Sequence, residues 1–193
     1  MYAFQLTFVL MGLLTIVGNS FTAWGNVTMV VGGGGGLVCA IGAPGTSYTH
    51  SQIVCVIPPG TGTTGAFVVT TGVEGLVSNM FVFPYIAPTV LSVTPPTPLP
   101  TSGGILLTLM GSSFGSTSLT GVVTLGGAPC PSGPSTPGTS WNDSVIVCKM
   151  PEGTGTFQPL LVTVSGQTST TFRVAFAAPI ISSVSPPNGP TLG

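Results

Sequence analysis

Charge is what this sequence has least of. Lys149 and Arg173 are its only basic residues, Glu74, Asp143 and Glu152 its only acids, and His50 its only histidine, so 3% of 193 residues are charged, against roughly 25% in ordinary soluble chains. Two basic residues 24 positions apart cannot neutralise a run of phosphates and release their counterions, which excludes nucleic-acid binding. Long apolar runs are missing as well. A spanning helix needs about 20 apolar residues in succession, whereas Phe8 to Val17 is shorter and Met29 to Ile41 is broken by Gly32 to Gly36. No membrane span is therefore expected, despite a mean hydropathy of +0.67. So uncharged a surface stays in water by carrying sugar or by being covered with copies of itself, and both routes point outside the cell.

What the chain does have is a repeat. Leu13-Leu-Thr-Ile-Val-Gly-Asn-Ser-Phe21 lines up with Leu106-Leu-Thr-Leu-Met-Gly-Ser-Ser-Phe114, and Gly45 to Cys55 with Gly138 to Cys148, both at a shift of 93. Pro58 to Thr63 matches Pro151 to Thr156 at the same shift, and Ala87-Pro88 matches Ala178-Pro179 at 91. A third copy opens at Pro179-Ile-Ile-Ser-Ser-Val-Ser-Pro-Pro187, parallel to Pro88-Thr-Val-Leu-Ser-Val-Thr-Pro-Pro96. A fixed period of this length marks a tandem array.

Within a repeat, short runs rich in Val, Ile, Thr and Phe alternate with Gly, Pro and Ser clusters; Leu106 to Met110, Gly121 to Leu125, Val145 to Cys148, Leu160 to Val164 and Thr171 to Phe176 are examples. That punctuation predicts strands and turns, and no segment has helical periodicity with caps. About seven short strands per repeat predict an all-β fold, two sheets packed as an immunoglobulin-like sandwich. Leu160, Val162 and Val164 should share one face. Gly32 to Gly36 follows a strand and precedes no Lys, so it reads as a hairpin and not as a phosphate cradle.

The four cysteines fall as one pair per repeat, Cys39 with Cys55 and Cys130 with Cys148, and intra-repeat disulfides are the economical expectation, with two unrelated buried thiols per domain as the alternative. Disulfides imply an oxidising compartment. A zinc site would need closely spaced Cys or His ligands, and one histidine with the cysteines divided between repeats does not supply them. Two sequons, Asn26-Val-Thr28 and Asn142-Asp-Ser144, lie in segments expected to be turns or strand edges and are candidate glycan acceptors. Thr61 to Thr64, Ser112 to Thr120 and Ser135 to Ser140 suit O-linked sugar or are plain polar loops. Neither repeat holds a Ser/His/Asp set or a working carboxylate pair, so no enzyme and no cofactor are expected. His50 reads as a variable loop residue, and the equivalent aromatics Tyr48 and Trp141 as core or disulfide-packing groups.

These motifs resemble the IPT/TIG family of immunoglobulin-like domains. Its opening signature is matched by Pro179, Ile180, Val184, Pro186, Gly189 and Pro190, its second strand by Leu107, Thr108, Gly111 and Phe114, and its last aromatic strand by Phe172 and Phe176. The resemblance implies tandem sandwich domains over residues 1–87 and 88–178, with 179–193 as the first strand of a further repeat or a donor strand. Such domains serve as spacers, adhesion modules, enzyme appendages and dimerisation units, so the family does not by itself fix an activity.

One departure is informative: Met1 to Met11 lacks the Pro and Gly-Pro signature of an opening strand. The chain then reads as a window of a longer array, or as a subunit whose Pro179, Ile180, Ile181, Val184 and Pro186 complete the first domain of another copy. Phe8 to Val17 also has the apolarity of a signal-peptide core, although no basic residue precedes it. The function expected is that of a structural subunit of an extracellular filament, stalk or coat, partnered by itself or by neighbouring repeats, with covalent glycans. The alternative is an adhesion or receptor ectodomain fragment that binds protein or carbohydrate.

Overall fold

The computed structural model describes residues 12–21, 25–31, 35–57, 60–63, 66–71, 75–116, 121–189 and 191. The atypical opening Met1 to Met11, Gly32 to Gly34 of the glycine run, Pro58 and Pro59, and Thr64 and Thr117 to Thr120 of the polar tracts lie outside them. Every regular element among the described residues is a β-strand. The chain divides into two compact units, Met1–Ala87 with Val164–Gln167, and Pro88–Thr163 with Thr168–Gly193.

Among the described residues seven strands belong to the first repeat: β1 (Leu13–Val17), β2 (Gly25–Val31), β3 (Gly35–Val38), β4 (Ser47–Tyr48), β5 (Gln52–Val56), β6 (Ala66–Thr71) and β7 (Phe81–Val82). They form two antiparallel sheets, β1-β5-β4 and β3-β2-β6-β7. The latter half of the apolar run Phe8 to Val17 is thus a sheet strand, with Leu14 opposite Cys55 and Ile16 opposite Ile53. Phe21, Val27, Cys39, Ile53, Cys55 and Val69 make the buried core, and Leu14, Ile16, Tyr48, Phe83 and Tyr85 pack against it half-buried.

Nine more follow among the described residues: β8 (Thr89–Thr94), β9 (Leu106–Ser112), β10 (Gly121–Leu125), β11 (Ala128–Pro129), β12 (Ser140–Trp141), β13 (Val145–Lys149), β14 (Gln158–Val164), β15 (Gln167–Thr168) and β16 (Phe172–Val174). One sheet runs β12-β13-β9-β8; the other runs β11-β10-β14-β15, with β16 also on β14. Period-2 alternation places Leu107 and Leu109 of β9, Val123 and Leu125 of β10, Ile146 and Cys148 of β13, and Leu160, Val162 and Val164 of β14 in the core. Burying each such aliphatic side chain is worth roughly 1.5–3 kcal/mol relative to leaving it in water. The β10–β11 hairpin turns on Gly126 and Gly127, both at positive φ, which is the two-residue geometry whose twist matches the flanking strands.

Candidate functional site

The first feature built by both repeats is an inter-sheet staple. Cys39 follows β3 in one sheet and is bonded to Cys55 of β5 in the other; Cys130 follows β11 and is bonded to Cys148 of β13. In each repeat the chain changes sheets at this point. Ala40 exchanges backbone hydrogen bonds with Val56 at 3.2 and 2.9 Å, and Lys149 N donates to Pro131 O at 2.8 Å. The cysteine spacing announces the pairs; that each joins opposite sheets is visible only in the fold.

A second feature is an aromatic clasp. Tyr48 Oη donates to Phe21 O at 2.9 Å, and its counterpart Trp141 Nε1 donates to Phe114 O at 2.8 Å. The backbone turns beside them match: Phe21 N donates to His50 O and Phe114 N to Asp143 O. Two different side chains therefore hold the same carbonyl, a role the sequence reading missed although their shared shift of 93 marks the equivalence. Burial pushes the Tyr48 phenol, and that of Tyr85, above the ordinary 10.0. A phenol raised in the folded state contributes stability that is intact below pH 10.0 and lost as pH climbs through its folded value. Tyr48→Phe should cost about 1 kcal/mol at neutral pH and shrink the alkaline loss. Trp141→Phe should cost a similar amount and leave the alkaline loss unchanged, because the indole N–H does not titrate. Denaturant unfolding at neutral pH and above pH 10.0 reads both.

The sequons are placed differently. Asn26 is exposed on β2 opposite Thr70, with Thr28 on the same face and Val27 buried beneath. Asn142 is exposed in a tight turn, its Oδ1 accepting Ser144 N at 3.0 Å and Val145 N at 2.7 Å. His50 is an exposed loop residue. Among the described residues no three His, Cys, Asp or Glu side chains gather around a common point, and no helix is long and apolar enough to cross a membrane.

The third feature is an unequal sheet edge. In the second repeat β8 covers β9, with Thr89 opposite Ser112, Val90 opposite Gly111, Ser92 opposite Met110, Val93 opposite Leu109 and Thr94 opposite Thr108. In the first repeat β1, the counterpart of β9, pairs with β5 alone among the described residues. Leu107 and Leu109 are 0% exposed, whereas their counterparts Leu14 and Ile16 are only half-buried. Pro179, Ile180, Ile181, Val184 and Pro186 lie in an exposed segment with no ladder pairing among the described residues.

Two antiparallel sheets per repeat, stapled across their core and built on a shared pattern, define a tandem immunoglobulin-like β-sandwich protein. The chain belongs to the IPT/TIG domain family, whose model matches residues 11–85 and 88–177. Among curated proteins, none matches the sequence. Of solved structures, a plexin A4 full extracellular region is 21% identical over 84% of this chain and 16% of its own, with a TM-score of 0.39. A surface glycan-binding protein from Prevotella bryantii is 13% identical over 83% of this chain and 35% of its own, at 0.46. SGBP-B, from a complex xyloglucan utilization locus in Bacteroides uniformis, is 20% identical over 85% and 44%, at 0.37. The chain thus spans less than half the length of each.

Proposed function

We propose that this chain is a non-catalytic structural module of an extracellular or cell-surface assembly, a filament, stalk or coat, built from copies of itself or from neighbouring repeats. The observation that carries this is the surface. Leu13, Val17, Leu76, Val77, Met80, Phe81, Ile180, Ile181 and Val184 are large apolar side chains left exposed on a chain with 3% charged residues. The runs Leu76 to Val82 and Ile180 to Val184, each holding several such side chains, suit burial against a partner. Two disulfides favour an oxidising compartment, and glycans on Asn26 and Asn142 would cover part of what assembly does not. The test is secretion from a glycosylating host, then intact mass with and without endoglycosidase and negative-stain electron microscopy. Ordered multimers and a mass loss abolished by N26Q/N142Q support the proposal; monodisperse single particles would overturn the assembly role, and an unchanged mass the glycans.

One feature favours the second reading, an adhesion or receptor ectodomain fragment. At the β7 edge Leu76, Val77, Met80, Phe81 and Val82 are 60–71% exposed, where the second repeat has Gln167, Thr168, Thr171, Phe172 and Arg173. The equivalence is fixed by Ser78, whose N and Oγ bond Val69 as those of Ser169 bond Val162. An apolar edge at positions that are mostly polar in the sister repeat suits contact with a protein or carbohydrate partner. A monodisperse chain that binds such a partner through this edge would replace the structural reading.

A further inference from the structure

We infer that residues 180–185 of one copy add to β1 of a second copy as an antiparallel strand in one register. Ile180 stands opposite Asn19, Ile181 opposite Gly18, Ser183 opposite Val17, Val184 opposite Ile16 and Ser185 opposite Thr15. This rests on the assembly proposed above and specifies its joint.

The second repeat supplies the template within the same chain. Moving the β8 residues Thr89, Val90, Ser92, Val93 and Thr94 forward by 91, and the β9 residues Ser112, Gly111, Met110, Leu109 and Thr108 back by 93, converts the observed β8–β9 register into the one stated. The donor keeps the required pattern. Val90 is the β8 side chain buried against the core, and Ile181 takes its place with one more methylene to fill the space over Leu14 and Ile16. Val184 repeats Val93, and Pro186 and Pro187 end the strand as Pro95 and Pro96 end β8. Ile180, Ile181 and Val184 are 89%, 82% and 70% exposed, so these β-branched side chains, which suit a strand, are available for pairing.

The acceptor keeps its side too. A Cβ on Gly111 would fall on the carbonyl oxygen of Thr89, so β8 packs there only because the residue is glycine. Gly18 stands at the equivalent place, and the nearest atoms a Cβ on it would meet among the described residues belong to the Phe21 ring, as one on Gly111 also meets the Phe114 ring; the glycine thus offers the Ile180 carbonyl the clearance that Gly111 gives Thr89. The outward hydrogen-bonding geometry is preserved, since Gly18 N is satisfied by Ser51 O at 3.0 Å as Gly111 N is by Ser144 O at 2.9 Å. A strand edge with no ladder partner among the described residues, as on β1, is a template for pairing with another chain. Residues 180–185 carry no charged side chain, so no charge has to be desolvated when the donor is buried.

The register is tested by covalent capture between separately purified variants of the full chain, one carrying V17C and the other S183C, at exposed positions predicted to face each other. Antiparallel neighbours lie within disulfide reach, so mild oxidation of the mixture should give a covalent heterodimer at least ten-fold more abundant than S183C mixed with V122C, an exposed position on β10. Light scattering of the unmodified chain, and of I181D/V184D, runs alongside. Selective capture, with multimers that I181D/V184D reduces to monomer at unchanged melting temperature, supports the joint. Multimers without selective capture overturn the joint and leave assembly standing; monomers without capture overturn both.

Discussion

Replacing Cys130 and Cys148 together by alanine should lower the unfolding free energy of the second repeat by about 3 kcal/mol, the chain-entropy value for a loop of this size. The bridge closes a separation of 18 residues, and that of Cys39 and Cys55 closes 16, so nearly equal losses follow from loop length alone. The consequences differ because the cores differ. The first repeat packs Leu14 and Ile16 only half-buried, where the second buries Leu107 and Leu109 fully and adds Val90 and Leu99. Against a typical domain stability of roughly 5–15 kcal/mol, C39A/C55A should unfold its repeat at a clearly lower denaturant concentration than C130A/C148A unfolds the other. Equal midpoints for the two double variants would show that the half-burial of Leu14 and Ile16 costs the first repeat nothing.

The second large effect belongs to Phe114. It is fully buried, and its ring occupies the space that a Cβ on Gly111 would need, so the aromatic and the glycine act as one packing unit beneath β8. Phe114→Ala should destabilise the second repeat by about 3–5 kcal/mol, transfer loss plus cavity, and loosen β8 with it. Hydrogen exchange checks the second point: amides of β8 and β9 should lose protection together. Phe21→Ala should cost less, because Phe21 keeps some exposure at 7% and no strand lies over β1 among the described residues.

Much of this was legible before the fold was seen. The period-2 pattern put Leu160, Val162 and Val164 on one face, and all three are buried. The shift of 93 made Tyr48 and Trp141 equivalent, although only the hydrogen bonds showed that both clasp a phenylalanine carbonyl. Gly18 and Phe21, like Gly111 and Phe114, could be read as a recurring motif but not explained. The reason is that the ring folds back over its own glycine, and a linear pattern does not record that contact. The exposed Leu76 to Val82 edge was not legible either, since apolar residues at strand spacing look alike whether they face a core or water.

The sequence by itself determined the all-β class, the tandem family, the cysteine partners and the scarcity of charge, because each depends on local spacing or composition. Tertiary structure alone decided which sheet each strand joins, that the disulfides span the two sheets, and that β8 covers β9 while β1 pairs only with β5 among the described residues. The physical reason is that sheet order and edge occupancy are settled by hydrogen bonds and burial between residues distant in the chain. Two strands with nearly the same sequence can therefore hold different places among the described residues, β9 between two strands of its sheet and β1 beside one.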